Sequence, residues 1–143
     1  CQCVGYVGQG CAGVSEVSHR LRSTGWIGVD LDGTLALTVS NTREIGAPIA
    51  PMLARVHDWL DQGIEVRIVT ARVGASGVTL RDGTVDDQCN AERQRASIGA
   101  WCVEHIGQSL PITHGKDVML IELWDDRVVQ VERDTGKRVY ANA

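Results

Sequence analysis

The residues of this chain whose types and spacing suit chemistry are Asp30-Leu31-Asp32-Gly33-Thr34, Thr70, Lys116 and Asp125-Asp126. Carboxylates two positions apart at the end of a strand lean to the same side, so Asp30 and Asp32 can share one site. Like charges held that close call for a cation, and Asp125-Asp126 adds further carboxylate. A hard divalent ion that accepts one or two carboxylates together with phosphate and water oxygens is magnesium. Taken singly these signals are weak. Asp-x-Asp-Gly is often a solvated turn, a Thr at a strand end often caps the next helix, and a lone Lys is usually a surface residue. Taken together, each following a short apolar run, they point to one cleft that binds a cation and a phosphorylated ligand. Arg72 and Arg127 flank these positions and suit either a second anionic group or the surplus acids. His57 and His105 sit where a packed or solvated histidine is usual, while His114 stands close enough to Lys116 to touch a ligand.

The elements that must position these residues can be read from periodicity. Trp26-Ile27-Gly28-Val29 is an apolar run leading into the Asp30–Thr34 turn, which predicts a strand and a tight exit. Leu35 to Ile45 is polar and irregular. Pro51 then opens a helix in which Met52, Leu53, Val56, Trp59 and Leu60 recur at helical spacing until Gly63. Glu65 to Thr70 reads as a second strand, followed by a Gly-rich loop from Gly74 to Gly83. Thr84 with Asp87 three residues later predicts a helix start, with Ile98, Trp101, Cys102 and His105 carrying the apolar stripe to Gly107. Short strands are expected near Pro111–Thr113 and Met119–Trp124, and a hairpin from Val128–Val131 and Arg138–Ala141 around Asp134-Thr135-Gly136, with a short helix before the turn as the alternative. Alternating strands and helices with right-handed crossovers put every strand's carboxyl end on one edge, where α/β proteins bind ligands. The expected fold is therefore α/β, a Rossmann-like parallel sheet over residues 25–143, preceded by a Gly-, Ser- and Cys-rich extension over residues 1–24 with no assigned chemistry.

Composition narrows the partners. With 43% hydrophobic and 22% charged residues the chain has the make-up of an ordinary globular protein. A formal charge of -4 gives no general attraction to a nucleic-acid backbone or an anionic membrane. A phosphorylated small molecule, or a nucleic-acid end gripped only at its terminus, is the better fit. No apolar run approaches the roughly 20 residues of a membrane helix, and no signal-peptide layout is seen, so a cytoplasmic protein is expected. Cys1, Cys3, Cys11, Cys89 and Cys102 lack paired metal or disulfide spacing and read as scattered thiols.

On these residues the chain resembles the haloacid dehalogenase superfamily of phosphatases. Asp30-Leu31-Asp32-Gly33-Thr34 is similar to its first signature, Thr70 to its second, Lys116 to its third and Asp125-Asp126 to its fourth, so the resemblance covers Trp26 to about Val131. Thr113-His114-Gly115-Lys116 with Leu123-Trp124-Asp125-Asp126-Arg127 is most similar to deoxyribonucleotide phosphatases and to the phosphatase half of polynucleotide kinases, and the layout resembles small phosphatases of phages and bacteria. The resemblance implies Mg2+ held by the Asp30 carboxylate, the Asp32 main-chain carbonyl and Asp125 or Asp126. It also implies Asp30 as a nucleophile that becomes an aspartyl phosphate, Asp32 as general acid and base, and Thr70 and Lys116 on the phosphate oxygens. Leu35 to Ile64 is too short for the helical cap that many of these enzymes carry, so the cleft should be open. The contrasting expectation is a domain of the same fold that binds a partner without turnover.

Overall fold

A computed structural model describes residues 25–40, 44–74, 78–79, 82–83, 85–86 and 91–140; the extension over residues 1–24, with Cys1, Cys3 and Cys11, lies outside them, as does Cys89. Among the described residues the order is β1 (Trp26–Asp30), α1 (Ala50–Asp61), β2 (Glu65–Val69), a 3-10 turn (Ala71–Val73), β3 (Val78–Thr79), β4 (Val85–Asp86), α2 (Ala91–His105), β5 (Ile112–Thr113) and β6 (Leu120–Trp124). Four strands form one sheet in the order β5-β2-β1-β6, and every pairing in it is parallel. This is the expected α/β architecture at its simplest, a small parallel sheet with two helices.

The first helix forms where the sequence places it because its ends are specified. Pro51 stands in the first turn of α1, where its missing N–H costs nothing. At the other end Gly63 takes a positive φ of 76°, Gly63 N–H donates to Leu60 O and Ile64 N–H to Trp59 O. That double closure satisfies carbonyls the helix leaves unpaired. Both crossovers, β1 to β2 through α1 and β2 to β5 through α2, step the same way across the sheet. Right-handed connections therefore place both helices on one face. There Met52 and Val56 of α1 and Ile98, Trp101 and Cys102 of α2 pack on Ile27, Val29, Val66 and Ile68.

Alternation sends Trp26, Gly28, Arg67 and Val69 to the other face. No helix among the described residues covers it. Instead residues 114–119, returning from β5 to β6, cross it, and Asp117 anchors the crossing. Asp117 accepts from Trp26 Nε1 at 2.9 Å, from the Met119 N–H at 2.8 Å and from Arg67 Nη1 at 3.2 Å. The Arg67 guanidinium also lies over the Trp26 ring, 4.4 Å from its centre. These donors hold the Asp117 carboxyl below its usual range, the indole N–H contributing most.

Three expectations need correction. The helix does not start at Thr84. Thr84 and Asp87 lie outside the described residues, but Val85-Asp86 between them is a strand antiparallel to Val78-Thr79, and the described part of α2 begins at Ala91. The stretch after the first turn is not wholly polar surface either, because Leu35 and Ala36 are fully buried and Ala36 bridges Pro48. The tail does turn back around Asp134 and Gly136, both at positive φ, but its pairing is a single antiparallel bridge, Val131 to Arg138, without extended strands; Ala141 lies outside the described residues. No helix among the described residues is long and apolar enough to cross a membrane.

Candidate active site

The site grows from the end of β1. Asp30 is its last residue, and the chain must then turn at once to keep Leu31 in the core. Gly33 makes this possible at φ 86°, and a side chain there would meet Asp126 Oδ2 at 2.8 Å, so the glycine also makes room for the second acidic segment. Thr34, nearly buried, closes the turn against that segment. Its hydroxyl accepts from the Asp126 N–H at 3.1 Å, and its own proton is within reach of Asp126 Oδ1 at 3.2 Å and Asp30 Oδ2 at 3.4 Å.

Because β6 lies beside β1 and runs parallel to it, Asp125 and Asp126 emerge next to Asp30. One carboxylate oxygen from each of the three lies within 4.8 Å of the others. Oxygens bound to one small divalent ion are separated by roughly 3–5 Å, so the set has the spacing and the hard-oxygen chemistry to hold such an ion. None of the three is ion-paired with Lys or Arg among the described residues. The consequence appears on Asp30. Burial first, then repulsion from Asp125, then the contact and charge of Asp126, push its carboxyl up to about 7 against a weaker opposing bond from the Leu31 N–H.

Asp32 has a different fate. Arg72 grips both of its carboxylate oxygens, Nε at 2.7 Å and Nη2 at 2.6 Å, so its side chain is not part of the acidic trio. Arg72 is itself fixed by Gln94 Oε1 of α2 at 3.2 Å and by the Glu44 carbonyl at 2.9 Å. Of the two uses the sequence left open for Arg72, the structure realises pairing with an acid. Thr70, at the end of β2, does what a strand-end Thr commonly does: its Oγ1 accepts from the Arg72 N–H at 3.2 Å and caps the 3-10 turn. It nevertheless faces the same cleft.

That cleft, about 560 Å³, is lined by Asp30, Asp32, Thr70, Lys116 and Asp125, with Arg72, His114 and Arg127 also on its wall. Of the residues expected to act in catalysis or hold a metal, Asp30, Asp32, Thr70, Lys116 and Asp125 are thus on the wall of this opening, and Asp126 joins it through the carboxylate trio. His57 is exposed on α1, and His105 packs on Trp101 with ring centres 4.8 Å apart. The link from Thr34 to Asp126 was not anticipated, and the pairing of Arg72 with an acid was left open without Asp32 being named as its partner. The two contacts join residues 92 and 40 positions apart, beyond the reach of local spacing. Compared with known protein families, curated proteins and solved structures, the chain matches none of them.

Proposed function

We propose that this protein is a magnesium-dependent phosphomonoesterase of the haloacid dehalogenase type, with a Rossmann-like core and no cap. The observation that carries the reading is the convergence of Asp30, Asp125 and Asp126 at the carboxyl edge of adjacent parallel strands, in a cleft shared with Thr70 and Lys116. A divalent cation held by the three carboxylates supplies positive charge against the phosphate oxygens and against the clustered acids.

The chain's own groups account for the remaining steps. An Asp30 carboxylate oxygen attacks phosphorus as the bond to the ester oxygen breaks, giving an aspartyl phosphate. Asp32 delivers a proton to the departing oxygen, later removes one from the water that attacks phosphorus, and Asp30 is released as carboxylate. Arg72 engages both Asp32 oxygens and so fixes the orientation of that carboxyl group at the cleft. The Thr70 oxygen accepts from backbone, which leaves its O–H free to donate to a phosphate oxygen, and the exposed Lys116 balances charge from the opposite wall.

The substrate is a terminal phosphate of a nucleotide or nucleic-acid end. The compact Lys116 to Asp125-Asp126 spacing and the missing cap support this choice over enclosed sugar phosphates. Turnover of nucleotides, 3′- and 5′-phosphorylated oligonucleotides and hexose phosphates, with Mg2+ and with EDTA, tests it. Asp30→Asn should abolish turnover with the fold retained, because an amide of nearly the same shape is a poor nucleophile. Wild-type turnover in that variant would rule out the covalent route. Absence of turnover on the whole panel would favour a partner-binding domain, and preference for a hexose phosphate would overturn the substrate while keeping the chemistry.

A further inference from the structure

The cleft, about 560 Å³, is larger than a phosphoryl group needs, and part of its lining is apolar. Beyond the polar groups it is lined by Val69, Leu120 and Leu123. Val69 immediately precedes Thr70, and Leu123 stands two residues before Asp125, so this apolar lining begins roughly 3–7 Å below the carboxylates along the strands. These side chains belong to the sheet face that no described helix covers. Gly28 lies between them: a Cβ there would come within 2.9 Å of Val69 Cγ2 and 3.1 Å of Leu123 Cδ1. The absence of a side chain at Gly28 lets Val69 and Leu123 close into a low, continuous floor. The opposite wall is the crossing segment, with His114, Gly115 and Lys116 on the cleft.

A slot between an apolar floor and a cationic wall suits a flat group with a π face, which buries apolar area on one side and meets positive charge on the other. The volume, about 560 Å³, falls within the roughly 300–1,000 Å³ typical of small-ligand sites. We infer that the leaving group of the substrate carries a planar aromatic ring, which lies on Val69 and Leu123 beneath the His114–Lys116 segment. The inference rests on the phosphatase reading for the phosphate end and adds a subsite running along the sheet face. A nucleobase and a simple aryl group share the required chemistry.

Matched esters separate the possibilities. Benzyl phosphate and ethyl phosphate both release an alkyl alcohol, and uridine 5′-monophosphate and ribose 5-phosphate differ by the base. For at least one pair the aromatic member should have a kcat/KM roughly tenfold or more higher, and Leu123→Ser or Val69→Ser should bring that ratio close to one. The ratio, unlike either rate, is insensitive to partial unfolding of a variant. Preference within the second pair alone identifies a nucleobase; preference within both identifies a general aryl slot. Equal efficiencies within both pairs, or a preference that survives both substitutions, overturn the subsite while leaving the phosphatase reading intact. If no ester is turned over, the phosphatase reading fails, and methyl NMR with benzylphosphonate against methylphosphonate decides the subsite by itself. Shifts of the Leu120, Leu123 and Val69 methyls with the benzyl compound alone uphold it, and their absence overturns it.

Discussion

On one face of the sheet Ile27, Val29, Val66 and Ile68 are sealed beneath two helices, whereas on the other Trp26, Gly28, Arg67, Val69 and Leu123 meet the crossing of residues 114–119 and no described helix. The first face is held by volume: interlocked aliphatic and aromatic side chains with no exposure to water. The second is held by a few directed contacts on Asp117 and is otherwise open toward the carboxylates. A small domain with a single core cannot spare the first face for function. Among the described residues it leaves the second face without a helix, and one loop pinned by a single carboxylate shields Trp26.

The largest expected effect breaks this contrast within one strand. Ile68, fully buried under the helices, and Val69, half-buried on the open face, are neighbours pointing opposite ways. Ile68→Ala should cost about 2–5 kcal/mol in a denaturant titration and Val69→Ala about 1 kcal/mol or less. Similar costs at the two positions would mean that the open face is packed as tightly as the sealed one.

A smaller effect concerns pH. The folded chain keeps the Asp30 proton up to about 7, while the unfolded chain loses it in the ordinary carboxylate range near pH 4. Between these values the unfolded state binds fewer protons, so without metal the stability contributed at this site falls as pH rises from about 4 to 7 and then levels. A divalent cation, which competes with that proton, should raise the melting temperature more at pH 8 than at pH 5. Melting curves in EDTA and in Mg2+ across this range check both statements, and Asp30→Asn should remove the slope. A metal effect that is largest at pH 5 would contradict the assignment.

The smallest effect sharpens the role of the crossing. Asp117→Ala removes the acceptor shared by the Trp26 indole, the Met119 N–H and Arg67. Hydrogen exchange should quicken at the Trp26 indole and the Met119 amide while the amides of α1 keep their protection. Unchanged exchange at both sites would show that the segment is held by something other than Asp117.

These contrasts bear on what the sequence could disclose. The strands ending at Asp30, Val69 and Trp124 and the helix between Pro51 and Gly63 are local patterns with local stop signals, and each formed as read. The gathering of Asp30, Thr70, Lys116 and Asp125 in one cleft followed from strand order and crossover handedness, which are properties of the whole chain that alternation reveals. The false helix start had a local cause as well. Thr84 and Asp87 imitate a helix cap, but Asp82-Gly83, with Gly83 at φ 86°, is a hairpin signal and was the better guide to the pairing of Val78-Thr79 with Val85-Asp86. That no described helix covers one face could have been anticipated from the few residues between Thr113 and Leu120. Which side chains would pin that crossing could not, since Asp117 and Trp26 are 91 positions apart and neither carries a periodic signal.

The order of strands has a kinetic consequence. β1 is central, yet one neighbour, β2, follows it closely while the other, β6, arrives some 90 residues later, as the 92-position span from Thr34 to Asp126 records. Local closure can assemble β1, α1 and β2 early, but docking β6 requires a long loop to be closed, and such contacts form late in folding. The acidic cluster therefore comes into existence only with the last long-range pairing. Until β6 docks, Asp30 stands without its two companions, so the carboxylate trio is complete only in the finished chain.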